Sequence, residues 1–331
     1  MQILITGGAG FLGARLARQL LKRNTLSDSE GRQLPISRIT LLDVVAAQGF
    51  NDPRIEVVTG DIADPKVIEA NLGPDTSSIF HLAAVVSGQA EADFELGMRI
   101  NFDATRLILE RARKNDNRPR IVFTSSVAVF GGALPPRVLD ETGLAPQSSY
   151  GAQKVMGELL ITDYSRRNFI DGRAVRMPTV SVRPGLPNKA ASSFASAIIR
   201  EPLNGIEAVC PVAPETPMWL VSPRTAIEHL IHAHEIDGSQ LGFSRALNLP
   251  GLATSVSEMV AALERVAGAE VVKRIRWESD PAIRRIVNSW PGDFVTARAD
   301  ALGFSHDASF DAIIQSHIDD EMQGVIPGNS K

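Results

Sequence analysis

A glycine-rich segment directly after the first apolar run constrains the fold more than any other feature of the chain. Residues 2–6 have the pattern of a short β-strand, residues 7–13 carry four glycines, and residues 12–23 have helical periodicity. A strand, a glycine turn and a helix in this order form a loop that binds a dinucleotide pyrophosphate, because glycines admit the phosphates and the helix N-terminus favours negative charge. An ordinary glycine-rich turn is the alternative. The presence of both flanking elements favours the dinucleotide site.

An acidic residue closes the second predicted strand. Residues 38–42 are strand-like, with apolar side chains at Ile39, Leu41 and Leu42, and Asp43 follows them. A carboxylate there accepts hydrogen bonds from both ribose hydroxyls of NAD and repels the 2′-phosphate of NADP. Gly13 and Asp43 are further apart than the usual spacing of about 20 residues, and residues 24–37, predicted as an inserted surface loop, account for the excess. NAD is therefore the predicted cofactor, with a surface aspartate as the alternative reading of Asp43.

Short apolar runs alternate with longer helical patterns through the first half of the chain. This alternation predicts an α/β fold with a Rossmann-type, doubly wound parallel sheet. After Pro178 the pattern becomes irregular and rich in proline. We expect an NAD-binding Rossmann domain and a smaller C-terminal substrate-binding domain. The former takes residues 1–181 and 215–250, and the latter takes residues 182–214 and 251–331.

Composition excludes several classes of partner. The formal net charge is only −4, which gives no electrostatic reason to expect nucleic acid or an anionic membrane surface as a partner. The apolar runs are far shorter than the ~20 residues of a membrane-spanning helix, and the start of the chain does not resemble a secretory signal. Cys210 is the single cysteine, so no internal disulfide can form. A reducing, cytoplasmic setting and a small-molecule substrate are expected.

Tyr150 and Lys154 are separated by one helical turn in the helix predicted over residues 150–167. A phenol with an ordinary pKa near ~10 is a weak base at neutral pH, and a neighbouring ammonium group stabilises its phenolate. The strand predicted over residues 120–124 leads into Ser125 and Ser126, whose hydroxyls can hold a substrate oxygen beside Tyr150. A tyrosine and a lysine at this spacing are commonly just a solvated helix face. The cofactor loop and the serines upstream favour the catalytic interpretation.

These motifs together resemble the extended short-chain dehydrogenase/reductases, over at least residues 1–180. The matching positions are residues 6–13, Asp61, residues 81–84, residues 124–131, Tyr150 and Lys154. The resemblance implies that Tyr150 is the acid/base, that Lys154 binds the nicotinamide ribose and assists Tyr150, and that Ser126 orients the substrate hydroxyl, with Ser125 as its rival.

The sequence motifs and the resemblance together predict the sites. Asn101 is added because the family often has an asparagine near the cofactor at this point. The predicted cofactor-binding residues are Gly7, Gly10, Phe11, Leu12, Gly13, Asp43, Asp61, Ile62, Leu82, Ala83, Ala84, Asn101, Tyr150 and Lys154. The predicted substrate-binding residues are Ser126, Tyr150, Thr179, Ser181 and Arg183.

The second half of the chain resembles one group of that family, the D-erythronate dehydrogenases, in residues 177–194, 200–205 and 288–292. This resemblance implies NAD-dependent oxidation of the C2 hydroxyl of a four-carbon sugar acid. The guanidinium group of Arg183 has the planar shape that recognises a carboxylate, although a structural salt bridge is an equal alternative for it. Two other functions remain open: a nucleotide-sugar epimerase with tightly bound NAD, and an NAD-sensing binding protein without turnover.

Two further patterns bear on metals and partners. His229 and His232 are three residues apart on a predicted helix, but no cysteine or carboxylate cluster completes a metal site, so none is predicted. Residues 94–113 and 155–166 look amphipathic, and the family resemblance implies that such helices pair between two subunits. We therefore expect a homodimer. Tyr164, the second of two tyrosines, has no partner pattern.

Overall fold

The computed structural model describes residues 1–185 and 190–327. The strands are β1 (Gln2–Thr6), β2 (Thr25–Ser27), β3 (Gln33–Pro35), β4 (Arg38–Asp43), β5 (Ile55–Thr59), β6 (Thr76–His81), β7 (Arg120–Ser126), β8 (Asp171–Met177), β9 (Thr179–Val180), β10 (Ala208–Cys210), β11 (Pro217–Val221), β12 (Ala246–Asn248), β13 (Leu252–Ser255) and β14 (Ile275–Trp277). The helices are α1 (Phe11–Arg23), α2 (Pro65–Asn71), α3 (Ser87–Ala92), α4 (Phe94–Gly97), α5 (Ala104–Asn115), α6 (Ser149–Arg166), α7 (Phe194–Leu203), α8 (Pro223–Glu235), α9 (Val256–Ala267), α10 (Ala269–Val272), α11 (Pro281–Val287), α12 (Ala297–Ala301) and α13 (Phe310–Glu321). A π-helix spans Met98–Asp103, and short 3-10 turns span Val127–Val129, Ala191–Ser193 and Gly238–Leu241.

A seven-stranded sheet runs in the order β12, β8, β7, β6, β1, β4, β5. Strand β1 pairs in parallel with β4 on one side and β6 on the other, so Ile5 lies beside both Leu41 and Phe80. The pairs β4–β5 and β6–β7 are also parallel. The chain moves outward from β1 in both directions, and this reversal is where doubly wound sheets bind ligands, at the carboxyl ends of the strands. The predicted α/β fold with a Rossmann-type parallel sheet is confirmed.

Local sequence signals start several helices. Asp64 precedes Pro65, and its carboxylate accepts a hydrogen bond from the backbone N–H of Lys66 at 2.9 Å, which caps α2. Ser255 caps α9 by accepting from the N–H of Glu258 at 3.2 Å. Each cap satisfies a backbone donor that has no partner within the first turn of its helix.

The chain divides into two compact units. The first comprises Met1–Val129, Ser149–Arg176 and Ile227–Leu247, and the second comprises Phe130–Ser148, Met177–Ala226 and Asn248–Lys331. Both units therefore consist of discontinuous segments, because the chain passes repeatedly from one to the other.

Each unit has its own apolar core. In the first, side chains from the central sheet pack against side chains of α5 and α6, including Leu4, Ile79, Ile108, Phe123 and Ile161. In the second, side chains of α7, α9, α13 and β11 pack together, including Ile198, Leu220, Met259, Leu263 and Ile314.

The divisions between the units differ from the predicted domain bounds. The first predicted segment ran unbroken from residue 1 to residue 181. Residues 130–148 and 177–181 of it belong to the second unit, because they pair with strands or bridging residues of that unit. Val138 bridges to Phe294, and strand β9 pairs with β11. The ligand that each domain binds stays a prediction. The segments that differ are 130–148, 177–181, 215–226 and 248–250.

Two local expectations are corrected. Residues 24–37 are not simply a loop: β2 and β3 form a short antiparallel hairpin in which Leu26 is opposite Leu34. Glu235 stabilises the hairpin, because its carboxylate accepts from the N–H of Ser27 at 2.9 Å and from the side chain of Gln33 at 2.8 Å. The amphipathic segment 94–113 is not one uniform α-helix, since the π-helix interrupts it.

Candidate active site

The glycine-rich loop lies at the carboxyl end of β1 and leads into α1. Gly7 has a φ of 71°, in the left-handed region that favours glycine, and its N–H donates to the carbonyl of Leu42 at 2.9 Å. A Cβ atom on Gly7 would lie 2.8 Å from the backbone nitrogen of Ala83, and one on Gly13 would clash with the carbonyl oxygen of Gly7. Glycine is therefore required at both positions for the close approach of loop, strand and helix.

The start of α1 is suited to an anion. The cap position is Gly10, which has no side chain to satisfy the first-turn donors at Phe11 and Leu12, and the first turn contains no acidic residue. Exposed backbone donors at a helix N-terminus bind phosphate groups well. These residues therefore fit the pyrophosphate of NAD.

Asp43 lies at the end of β4 beside the same loop. One oxygen of its carboxylate accepts from the N–H of Ala9 at 3.1 Å, and the other accepts from the N–H of Val44 at 2.7 Å. These contacts hold the carboxylate at the loop, next to the helix start. The position matches the one expected for a group that recognises the adenosine ribose.

Asp61 follows β5 and is already engaged by the protein. Its carboxylate pairs with Arg99 at 2.5 Å and accepts from the N–H of Ala63 at 2.8 Å. Burial raises the pKa of Asp61, but the hydrogen bonds and the charge of Arg99 outweigh this and leave that pKa below its ordinary value. Sequence reasoning missed Arg99, whose partner is 38 residues away in the chain. Ile62, next to Asp61, is buried.

A buried hydrogen-bond chain crosses the sheet below the loop. Thr105 donates its hydroxyl proton to the carbonyl of Asn101 at 2.8 Å, so its oxygen accepts the Nε2–H of His81 at 2.9 Å. The Nδ1 atom of His81 then accepts from the hydroxyl of Thr6 at 2.7 Å, and Thr6 accepts from the N–H of Ala83 at 3.3 Å. Burial, with a smaller contribution from the charge of Lys154, lowers the pKa of His81 to about 3 and keeps the ring neutral.

Asn101 lies within the π-helix and binds other parts of the protein. Its side-chain oxygen accepts from the N–H of Val85 at 2.8 Å, while its amide donates to the carbonyl of Val85 at 3.0 Å and to the side-chain oxygen of Gln153 at 2.7 Å. Both amide protons are thus committed to the protein. Asn101 links the segment after β6 to α6, and direct contact with the cofactor stays a prediction.

Tyr150 and Lys154 lie in the first two turns of α6. The Lys154 ammonium group is buried, donates to the carbonyl of Thr124 at 2.8 Å, and lies 4.7 Å from the ring centroid of Phe123 and 5.6 Å from that of Tyr150. Burial lowers the pKa of Lys154 to about 7, although the charge of Glu158 opposes this shift. The tyrosine and the lysine therefore meet as the spacing predicted.

The two candidate serines at the end of β7 have different surroundings. Ser125 is buried and donates to the carboxylate of Glu158 at 2.5 Å. Ser126 is only half-buried, and its oxygen accepts from the N–H of Ala128 at 3.1 Å, which leaves its hydroxyl proton for another acceptor. Glu158 also pairs with Arg176 at 2.8 Å. The geometry favours Ser126 over Ser125 as a group that meets a substrate.

The remaining predicted substrate residues belong to the second unit. Thr179 is half-buried in β9, whereas the hydroxyl of buried Ser181 donates to the carbonyl of Ala195 at 3.0 Å. Arg183 donates from its side chain to the hydroxyl of Ser192 at 3.3 Å. Their contact with a substrate stays a prediction. Residues 186–189 of the segment that resembles sugar-acid dehydrogenases lie outside the described residues.

The first unit contains all of the predicted cofactor and catalytic residues. Of those not yet located, Leu82, Ala83 and Ala84 follow β6 directly. Among residues 1–185 and 190–327, no group of His, Cys, Asp or Glu side chains is arranged to hold a metal ion. Within the same ranges, no helix is both long and apolar enough to cross a membrane.

Comparisons with known proteins identify the family. Residues 3–218 match the NAD dependent epimerase/dehydratase family. The chain belongs to this family. Its residues are 58% identical over 320 positions to a D-erythronate dehydrogenase of Cupriavidus necator, covering 97% of this chain and 98% of that protein. A D-erythronate dehydrogenase of Haemophilus influenzae is 46% identical over 323 positions, covering 97% of this chain and 100% of that protein.

A solved structure of this family is also similar. It is described as a nucleoside-diphosphate-sugar epimerase from Agrobacterium tumefaciens and has a TM-score of 0.90 at 43% identity, covering 98% of this chain and 96% of that one. The predicted family and the predicted resemblance to D-erythronate dehydrogenases are confirmed, and the NAD dependence of the family confirms the predicted cofactor.

Sequence reasoning missed two buried polar residues on α6. Gln153 accepts from Asn101, and Glu158 binds both Ser125 and Arg176. Glu158 carried a signal that could have been used, because it lies one helical turn after Lys154 and so on the same face of α6.

Proposed function

We propose that this chain is a D-erythronate dehydrogenase, which oxidises the C2 hydroxyl of a four-carbon sugar acid to the 2-keto acid with NAD. The observation that carries the proposal is the 58% identity to a D-erythronate dehydrogenase over nearly the whole length of both chains. The pairing of Tyr150 with Lys154 supports it chemically, because proton removal from a secondary alcohol requires a base beside the reacting carbon.

The cofactor is held by the first unit in this proposal. The N-terminus of α1 binds the pyrophosphate, Asp43 binds the adenosine ribose, and Lys154 binds the nicotinamide ribose. Bound NAD supplies the hydride acceptor. The glycine positions support this assignment, since a side chain at Gly7 or Gly13 would prevent the close approach of loop and strand.

The proton is handled by the chain itself. Tyr150, as phenolate, removes the proton of the C2 hydroxyl, and the Lys154 ammonium group favours the phenolate form. Ser126 donates its hydroxyl proton to the substrate oxygen and so fixes its distance from Tyr150. The half-buried position of Ser126 supports this role.

The substrate carboxylate is assigned to the second unit. Arg183 binds it through the planar guanidinium group, and Thr179 and Ser181 bind the remaining hydroxyls. A net charge of −4 offers no long-range attraction for an anion, so capture of the substrate must depend on local groups such as Arg183.

The chain is further proposed to act as a cytoplasmic homodimer. The helical segments expected to pair between subunits expose two large apolar side chains, Phe94 at 55% and Leu159 at 63%. Burial of such residues against a second copy removes apolar surface from water. The single cysteine supports a reducing compartment.

The test compares the two tyrosines of the chain. With D-erythronate and NAD, the parent protein should produce NADH, measured by its ultraviolet absorbance. Tyr150→Phe should lower kcat by roughly 100- to 10,000-fold, the range typical of a missing acid/base group, while NAD still binds in a fluorescence titration. Tyr164→Phe is the matched control, because its hydroxyl contacts Glu110 instead of the site, and it should keep its activity.

Three results would contradict the proposal. In the first, the protein releases no NAD and produces no NADH with D-erythronate but epimerises a nucleotide sugar. This result would favour the epimerase. NAD could bind without turnover of any substrate, which would favour a sensing role. Equal losses in Tyr150→Phe and Tyr164→Phe would remove Tyr150 from the mechanism. A panel of four- to six-carbon aldonic acids then defines the preferred substrate.

A further inference from the structure

We propose that Glu158 is a positioning residue for the reaction. Its buried carboxylate, one helical turn after Lys154 on α6, keeps Lys154 cationic. The same carboxylate holds the hydroxyl of Ser125 away from the substrate. The inference rests on the proposed roles of Tyr150, Lys154 and Ser126. Glu158 is buried. In this proposal it touches neither substrate nor cofactor and acts through Lys154 and Ser125.

Glu158 lies in a buried cluster with Arg176 and Ser125. Glu158 is 3% exposed and Arg176 is 7% exposed. The guanidinium group of Arg176 donates through Nε at 2.9 Å and through Nη2 at 2.8 Å to the two carboxylate oxygens. Paired N–H donors of this kind fix the plane of a carboxylate. Glu158 therefore presents one oxygen to Ser125 in a defined direction, at 2.5 Å.

The cluster lies on the same helix as Lys154. Glu158 follows Lys154 by one turn of α6, so the two side chains share a face of the helix. Of the groups that the structure describes beside the ammonium group, Phe123 and Thr124 are uncharged and His81 is neutral, so Glu158, itself paired with Arg176, is the anion on this face. Tyr150, whose ring centroid is 5.6 Å from the ammonium group, is a further neighbour.

The charge of Glu158 has a direct chemical consequence. Burial lowers the pKa of Lys154 to about 7, and Glu158 acts in the opposite direction. Without the carboxylate, Lys154 would lose its proton at a lower pH, and a neutral amine stabilises a phenolate poorly. Tyr150 is two helical turns from Glu158 and only one from Lys154, so the loss of the ammonium charge outweighs any direct effect of Glu158 on the phenol.

The hydrogen bond to Ser125 has a separate consequence. The hydroxyl proton of Ser125 is committed to the buried carboxylate, whereas Ser126 accepts from the N–H of Ala128 and keeps its hydroxyl proton for a substrate oxygen. The choice between two adjacent hydroxyls is thus made by a carboxylate on another element, 33 residues later in the chain.

The protonation of Lys154 can be measured without any turnover. Lysine labelled with ¹³C at Cε reports the charge of each side chain by NMR, and Lys154→Arg identifies the Lys154 resonance. In the protein without ligands, Glu158→Gln should lower the titration midpoint of Lys154 by roughly one pH unit or more. Glu158→Asp, which keeps the charge, should retain a midpoint near that of the parent. The matched control is Glu110→Gln, which removes a carboxylate paired with Arg113 and Tyr164 in the same unit and should leave the midpoint unchanged.

Kinetic measurements supply the second readout. The alkaline limb of kcat/KM should move downward in Glu158→Gln by the same amount as the NMR midpoint and should return towards the parent value in Glu158→Asp. Ser125→Ala should reduce kcat by less than tenfold, whereas Ser126→Ala should reduce it about 100-fold. If Glu158→Gln does not fold, the double variant with Arg176→Met removes the unpaired guanidinium group, and its Lys154 midpoint should still lie below that of the parent.

The outcomes separate this inference from the proposed function. An unchanged Lys154 midpoint in folded Glu158→Gln, or equal losses in Ser125→Ala and Ser126→Ala, would overturn the inference while leaving the dehydrogenase reaction intact. A parent protein without activity on any sugar acid would instead overturn the proposed function, and the NMR midpoint would still decide whether Glu158 keeps Lys154 charged.

Discussion

At the scale of single residues, surroundings distinguish side chains of the same type. Tyr150 has the Lys154 ammonium group 5.6 Å from its ring, whereas Tyr164 donates to Glu110 and packs edge-on against Phe169. Burial and the hydrogen bond to Glu110 raise the pKa of Tyr164 to about 12, so still less of it is phenolate at neutral pH than for an ordinary tyrosine. The partner of Tyr164 was not expected, because the 54 residues between it and Glu110 hide the contact.

Asp43 gives a prediction about the choice of cofactor. Its carboxylate is held at the glycine-rich loop by Ala9 and Val44, so Asp43→Asn removes the charge with little change of shape. The KM for NAD should rise roughly tenfold, since a hydrogen bond to a charged group contributes about 1.5–3 kcal/mol. Activity with NADP should increase, because its 2′-phosphate is no longer repelled.

Steady-state kinetics with both cofactors check this expectation. Asp75→Asn, which alters an exposed carboxylate before β6, is the control and should change neither KM. A variant at Asp43 with the parent's preference for NAD would show that another group reads the ribose.

At the scale of elements, the π-helix between α4 and α5 is the feature that joins the parts of the site. One extra residue per turn changes which side chains face the protein interior. Asn101 thereby contacts Val85 and Gln153, while the backbone of the same segment accepts from Thr105. The side chain of Asn101 thus links the segment after β6 to α6, the helix that carries Tyr150.

Asn101→Ala should therefore destabilise the protein. It leaves the N–H and carbonyl of Val85 and the amide oxygen of Gln153 without their partner, and buried groups left in this state each cost about 1–3 kcal/mol. The free energy of unfolding in urea should fall by about 3 kcal/mol, and the KM for NAD should rise. Asn115→Ala, which removes one bond to the carbonyl of Leu72, should cost about 1 kcal/mol or less. Equal losses in the two variants would argue against the linking role.

At the scale of the whole molecule, exposed apolar side chains and low net charge together favour self-association. A net charge of −4 produces little repulsion between copies. Leu159 is exposed on α6, in the turn that follows Lys154. Association through α6 would place a second subunit close to the catalytic helix.

Leu159→Arg should convert a dimer into a monomer. An arginine placed at the centre of an apolar interface would bury an unpaired charge. Light scattering at micromolar concentration should report twice the mass of the chain for the parent and a single mass for the variant. Ile206→Arg changes a comparably exposed apolar residue of the second unit and should remain dimeric. A monomeric parent would overturn the proposed homodimer.

Local and periodic information in the sequence was enough to determine the parallel α/β sheet, the glycine-rich loop, Asp43 at the end of β4, and the tyrosine–lysine pair one turn apart. Each of these depends on residues that are neighbours in the chain, where spacing and backbone preference act directly. The hairpin of residues 25–35 was missed because the carboxylate that holds it, Glu235, comes some 200 residues later.

Only the tertiary structure decided which polar side chains are committed to other parts of the protein. The family resemblance implied Ser126 with Ser125 as its rival, and the buried carboxylate of Glu158, which accepts from Ser125, distinguishes their surroundings. The amide of Asn101 donates to the carbonyl of Val85, which follows β6, and to the side chain of Gln153 on α6. Its expected contact with the cofactor stays a prediction. Burying a polar group without a partner is costly, so such residues pair wherever the fold brings donors and acceptors together. That pairing depends on long-range contacts, which sequence spacing does not contain.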